Sequence, residues 1–220
     1  VVYYAVEDKS ADITADNIAE HEDCTEFDIV YGGESYRAQI PCIGAHNVLN
    51  ALAGFGAGVA AGVKPEHAAA ALANFRSTGM RQRARKCREV TVIEDCYNAN
   101  PDSVKAAMLT LGSRKIPDGA KKIAVLGDML ELGAVAESAH LAAGEEAAAA
   151  ADVLFCCGEL GRLIAKGAEN AGMKNAKHFN SKDELAQELR KIARPGDIIW
   201  LKASRGMRFE DIAEAFYEEL

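Results

Sequence analysis

Apolar and polar positions change rhythm part of the way along this chain. In "FDIVYGGESYRAQI", residues 27–40, they alternate on either side of Gly32-Gly33, as in two half-buried strands joined by a tight turn. Up to Ile40 the reading is therefore β. "HNVLNALAGFGAGVAAG" and, after Pro65 in a helix-opening position, "EHAAAALANF" then predict two helices rich in small residues. "STGMRQRARK" is a basic, Gly-containing connection. A domain boundary is expected there, separating residues 1–79 from 80–220.

Beyond the boundary, short apolar runs alternate with longer helical stretches. "VTVIED" leads to "PDSVKAAMLTL", "KKIAVLGD" to "AESAHLAAGEEAAAA", "DVLFCCG" to "LGRLIAKGAENAG", and "DIIWLKAS" to "FEDIAEAFYEEL". Ser181 with Glu184 predicts a capping box opening one more helix, "KDELAQELRKI". Strand, helix, strand at this spacing makes an α/β, Rossmann-like unit with a mostly parallel sheet and helices on both faces. Ligands of such sheets sit outside the carboxyl ends of the strands. "DCYNANP", "GDMLELG" and "KASRGMR" each follow a strand, so all three are expected on that edge.

Composition narrows the partners. With 49% hydrophobic and 26% charged residues and no long apolar run, the chain reads as globular and not membrane-embedded. A net charge of -8 argues against nonspecific binding to nucleic acid or anionic membranes. The six cysteines lack C-x-x-C spacing, which favours buried thiols in a reducing cytoplasm over a zinc site or a disulfide framework. "VVYYAVEDKS" has no initiator Met, basic n-region or cleavage site, and opens like the middle of a strand, so a fragment of a longer protein is expected.

The three post-strand segments carry the candidate chemistry. Asp95 at a strand end suits a ribose hydroxyl, while Asn98 and Asn100 can each donate and accept. Pro101 opens a helix whose first N–H groups suit an anion. Turning the chain and capping that helix would use the same residues. Asp128 and Glu131 in "GDMLELG" serve equally well as helix caps. Lys202, Arg205 and Arg208 surround a glycine and suit a carboxylate or phosphate. "GFGAG" lies inside a helical stretch and reads as close helix packing, not a dinucleotide fingerprint. No G-x-x-x-x-G-K-[ST] occurs, so the chain supplies no standard triphosphate loop. His46, His67 and His140 lack metal-ligand spacing, and His46 and His140 read as packing or capping residues.

"IGAHNVLNALAGFGAGVAAG", "TGMRQR", "IEDCYNANPDSVKAAMLTL", "VLGDMLELG", "HLAAG" and "LKASRGMRFE" occur in an order that resembles the Mur ligases. "YNANP", "GDMLELG" and "SRGMR" are most similar to the branch that joins D-alanyl-D-alanine to UDP-N-acetylmuramoyl-tripeptide in peptidoglycan synthesis. The resemblance implies a cytoplasmic, monomeric enzyme using ATP and magnesium, in which ATP activates the tripeptide carboxylate as an acyl phosphate that the dipeptide amine attacks. It places the β-hairpin and helical end of a central ATP-binding domain at 1–79 and the C-terminal ligase domain at 80–220. The phosphate loop and most magnesium ligands would lie upstream.

Residue by residue, Asn50 resembles an adenine-contacting asparagine, and Arg81 a catalytic arginine reaching the ATP phosphates, with Arg83 a competitor for that role because "MRQRAR" allows more than one register. Asp95 resembles a ribose-binding aspartate. Lys202 and Arg205 are then expected to anchor the dipeptide carboxylate, and Asn98, Asn100 and Asp128 to orient its peptide group and amine. Ala45 and Ala203 depart from the family pattern, where a basic residue and a glycine are common. A cyanophycin-type or folylpolyglutamate-type relative and a noncatalytic small-molecule-binding module stand as alternatives.

Overall fold

The computed structural model describes residues 1–21, 24–76 and 79–218. The chain divides into two compact units, Val1–Arg76 and Ser77–Leu220.

The first unit is a four-stranded sheet with two helices. Its strands are β1 (Tyr4–Ala5), β2 (Ile13–Glu20), β3 (Thr25–Tyr31) and β4 (Glu34–Ile40), in that spatial order. The expected hairpin is β3–β4, with Tyr31 opposite Glu34 across a two-residue turn. Gly32 and Gly33 have φ of 61° and 82°, the double left-handed turn whose twist matches the flanking strands. The opening "VVYY" is not a strand interior, because β1 spans only two residues and Val1 to Tyr3 lie exposed before it. Helix α1 (Ala45–Ala60) buries Val48, Ala51, Leu52 and Phe55, spaced i, i+3, i+4, i+7, against Ile13, Phe27 and Ile29 of the sheet. "GFGAG" lies within α1, where a β-carbon on Gly56 would come 2.8 Å from Ile13 Cδ1, so this glycine serves close packing. Helix α2 (Pro65–Ala71) opens on its proline.

The second unit is a three-layer sandwich. Its sheet has the order β5 (Arg83–Cys87), β6 (Val90–Asp95), β10 (Ile198–Lys202), β7 (Lys122–Gly127), β8 (Val153–Cys157), β9 (Ala176–Phe179). All neighbours are parallel except β5, which runs antiparallel to β6. Alternation along each strand feeds two cores. Ala124, Leu126, Leu154, Cys156, Ile198 and Trp200 pack with helices α3 (Pro101–Ser113), α4 (Ala136–Ala150) and α5 (Gly161–Asn170). Ile123, Val125, Phe155, Ile199 and Leu201 pack with α6 (Lys182–Ile192) and α7 (Glu210–Glu218). Ser181 caps α6 by accepting from the Glu184 N–H at 3.2 Å, which is one half of the expected box.

Two strands differ from expectation. β5 lies inside the segment read as a bare basic connection, and its turn to β6 is formed by Arg88 and Glu89 with φ of 49° and 60°. A tight turn without Gly or Asn gives no sequence signal, and the cations of β5 mark an exposed sheet edge. β9 is only four residues long and occupies the other edge, with Lys177 exposed between half-buried neighbours.

Candidate active site at the carboxyl edge

Because β10 inserts between β6 and β7, the segments after these three strands meet at one edge. Asp95 and Lys202 end their strands in direct register, extending the face that carries Ile93 and Trp200. Their side chains form an ion pair of 2.8 Å, Nζ to Oδ2, with only 3% of Lys202 and 8% of Asp95 exposed. Lys202 Nζ also donates to the Asn98 carbonyl at 3.2 Å. A buried ammonium needs this compensation, and removing one partner of such a pair costs about 3–5 kcal/mol. Two of the lysine's three hydrogens are thus committed inside the protein.

Ser204, 4% exposed, binds the edge together. Its N–H donates to Asp128 O (3.1 Å), its Oγ accepts from the Leu130 N–H (2.9 Å), and its hydroxyl donates to Ala99 O (3.4 Å). One small side chain therefore ties the segments after β6, β7 and β10. His140 on α4 adds a second clamp from beneath. Met129 N–H donates to Nε2 at 2.9 Å, so Nδ1 carries the proton and donates to Ala136 O at 2.6 Å, a tautomer assigned from these partners. The imidazole is fully buried, in keeping with the packing role read from sequence.

The remaining candidates are distributed as follows. Asn100 caps α3: its Oδ1 accepts from the Ser103 N–H at 2.8 Å, and Ser103 Oγ accepts from the Asn100 N–H at 3.0 Å. Asp128, 6% exposed, accepts at Oδ1 from the N–H groups of Leu160 and Gly161, capping α5 from the neighbouring segment. Asn98 is exposed, and its Oδ1 accepts from the Ala99 N–H. Arg205, over half exposed, pairs with Glu210 at 2.6 Å. Arg81 places its guanidinium 4.0 Å from the centre of the exposed Tyr97 ring. Asn50 lies in the first unit, exposed on α1.

Asp95, Lys202 and Asn98 are therefore gathered, Asp128 and Asn100 are engaged by helix termini, and Arg205 and Arg208 face outward from the post-β10 turn. Sequence reasoning passed over Ser204, Tyr97 and Lys182. Ser204 and Tyr97 stand inside segments that were singled out, but a lone hydroxyl or ring gives no spacing signal. Lys182 donates to the carbonyls of Met207 (3.3 Å) and Arg208 (3.2 Å) and pairs with Asp211, holding the turn after β10 from α6. Cys96, beside Asp95, is no nucleophile at neutral pH, because burial and then the Asp95 charge push its thiol up to about 12.

A doubly wound sheet with its polar groups converging on the carboxyl edge defines the class, and the chain belongs to the Mur ligase family. Residues 80–205 match the Mur ligase glutamate ligase domain, and residues 1–58 the Mur ligase middle domain. Among individual proteins, it is 38% identical over 210 residues to the UDP-N-acetylmuramoyl-tripeptide--D-alanyl-D-alanine ligase of Bacillus subtilis (strain 168), covering 94% of this chain and 45% of that protein. The enzyme of the same name from Escherichia coli (strain K12) is 29% identical, with 95% and 45% covered. A crystal structure of MurF from Acinetobacter baumannii superposes with a TM-score of 0.84 at 25% identity, over 99% of this chain and 46% of that one. The Thermotoga maritima MurF ligase solved with ADP shares the fold, with a TM-score of 0.79 at 23% identity and 99% and 48% covered. The chain thus spans about half the length of the relatives it matches. Among the described residues no helix is long and apolar enough to cross a membrane.

Proposed function

We infer that this chain is part of a cytoplasmic, monomeric, ATP-dependent amide ligase that joins D-alanyl-D-alanine to UDP-N-acetylmuramoyl-tripeptide in peptidoglycan synthesis. Residues 1–79 belong on this reading to the central ATP-binding domain, and residues 80–220 form the C-terminal ligase domain. The observation that carries it is the cluster of Asp95, Lys202 and Ser204 on the carboxyl edge of a chain 38% identical to such a ligase.

The chemistry runs in two balanced steps. A carboxylate oxygen of the tripeptide attacks the terminal phosphorus of ATP and releases ADP. The dipeptide amine then attacks the acyl carbon, loses its proton and expels inorganic phosphate. Asp95 suits the ribose because Lys202 engages Oδ2 and leaves Oδ1 for a hydroxyl. Arg81, set against Tyr97, serves charge on the phosphates, and Asn50 the adenine. Lys202 acts through Asp95 and so positions the nucleotide site, while Arg205, paired with Glu210, frames the path of the dipeptide together with Asn98, Asn100 and Asp128. Among the described residues no three His, Cys, Asp or Glu side chains gather to hold a metal ion, so no magnesium ligand is assigned here.

The test is steady-state kinetics of the intact ligase. Asp95→Asn is expected to raise the ATP KM about tenfold or more, the scale of one lost charged hydrogen bond, with the D-alanyl-D-alanine KM within about twofold. An unchanged ATP KM would remove Asp95 from the ribose.

A further inference from the structure

A concavity opens on the same edge, at the ends of β8 and β9. It has a volume of about 260 Å³. Cys157 and Phe179 wall it, and Glu159, Arg162, His178 and Asn180 supply its polar groups. The local hydrogen bonds shape it. His178 Nε2–H donates to Gly158 O at 2.8 Å, which leaves Nδ1 as the ring's other polar atom. Arg162 Nε donates to Glu159 O at 3.1 Å, which steadies the guanidinium while both Nη groups remain for a ligand. The Asp128 carboxylate takes the Leu160 and Gly161 N–H groups, so this pocket is tied directly to the segment after β7.

We propose that this pocket receives the carboxylate end of the incoming dipeptide, with Arg162 as its anchor, an assignment that rests on the ligase reading above. The argument is one of charge and of length. Lys202 is committed to Asp95 and the Asn98 carbonyl, and Arg205 to Glu210, so the edge needs another cation for a carboxylate. Neighbouring strands lie about 4.8 Å apart, so the end of β8 sits two steps, about 10 Å, from the end of β10. An extended dipeptide spans about 7 Å from amine to carboxylate. With its amine above the ends of β10 and β7, its carboxylate reaches the mouth of the pocket, whereas a single amino acid, about 3.5 Å long, falls short. Arg162 suits two carboxylate oxygens through its fork, and the Glu159 carboxylate on the rim disfavours a doubly charged phosphate. The pocket thus selects a dipeptide by its length and its single terminal charge.

The experiment compares D-alanyl-D-alanine with D-alanyl-D-alaninamide, which lacks the terminal carboxylate, in the intact ligase and its Arg162→Ala and Arg162→Lys variants. Arg162 is exposed, so the fold does not depend on it. The wild type is expected to use the amide at least tenfold less efficiently in kcat/KM than the dipeptide. Arg162→Ala should raise the dipeptide KM about 10- to 100-fold, leave the ATP KM unchanged, and abolish discrimination against the amide, with Arg162→Lys in between. If the wild type ligates D-alanyl-D-alanine but Arg162→Ala discriminates as before, or shifts both KM values alike, the pocket assignment falls and the ligase reading stands. If the wild type forms no product with D-alanyl-D-alanine, both fall.

Discussion

Lys202 and Lys182 show how single cations organise the edge in different ways. Lys202 is enclosed with Asp95 and fixes a carboxylate at a strand end, whereas Lys182 stands at the rim and gathers two carbonyls and Asp211 around the turn after β10. The hydrogen bond from Lys182 holds the Asp211 carboxyl below its ordinary value, with the charges of Lys182 and Arg208 acting in the same direction. A carboxyl whose folded pKa is depressed stabilises the fold above its unfolded value and loses that contribution as pH falls through the folded one. Asp211→Asn is therefore expected to be less stable than the wild type in denaturant at pH 7, with the difference lost as pH falls through the depressed folded value of Asp211. Equal stability at pH 7 would show the contact to be idle. At this scale the sequence was informative about position and less so about partners. Asn98, Asn100 and Asp128 do stand on the edge, but whether a polar side chain faces a ligand or a helix terminus depends on strand order. Asp128 reaches α5 only because β8 lies beside β7.

Elements with their own punctuation were legible. α3 begins at a proline and is capped by Asn100, α6 begins after Ser181, and the β3–β4 turn carries two glycines. β5 and β9 lacked such signals, since an edge strand is half solvated and its pattern is set by one neighbour alone. The crossing of α4 and α5 was not legible as a contact, although the small residues that permit it were plain. A β-carbon on Gly144 would lie 2.0 Å from Ile164 O, and one on Gly167 2.0 Å from Leu141 O, so backbone meets backbone with no flexible side chain to yield. Gly167→Ala, favourable for an isolated helix, is expected to destabilise the second unit by about 1–3 kcal/mol through separation of these helices. Denaturant unfolding measures this, and a stabilised variant would mean that the two backbones part at little cost.

For the molecule as a whole, the proposed reaction turns on how a triphosphate is held. The chain contains no phosphate loop in its 220 residues, and the side chains proposed above for the nucleotide do not replace the backbone cradle that grips a triphosphate. On its own it is expected to form no product from ATP, UDP-N-acetylmuramoyl-tripeptide and D-alanyl-D-alanine. Turnover by the purified chain, followed as phosphate release, would overturn the reading of this chain as part of a longer ligase. The strand order has a consequence of another kind. β10 is the seam between β6 and β7, yet Lys202 is made 107 residues after the Asp95 it pairs with. Until the ribosome has delivered that segment, β6 and β7 have no shared neighbour and Asp95 has no counter-ion. The carboxyl edge is thus among the last features to assemble during synthesis, and a nascent chain stalled before β10 exposes two open apolar strand edges to chaperones or to its neighbours.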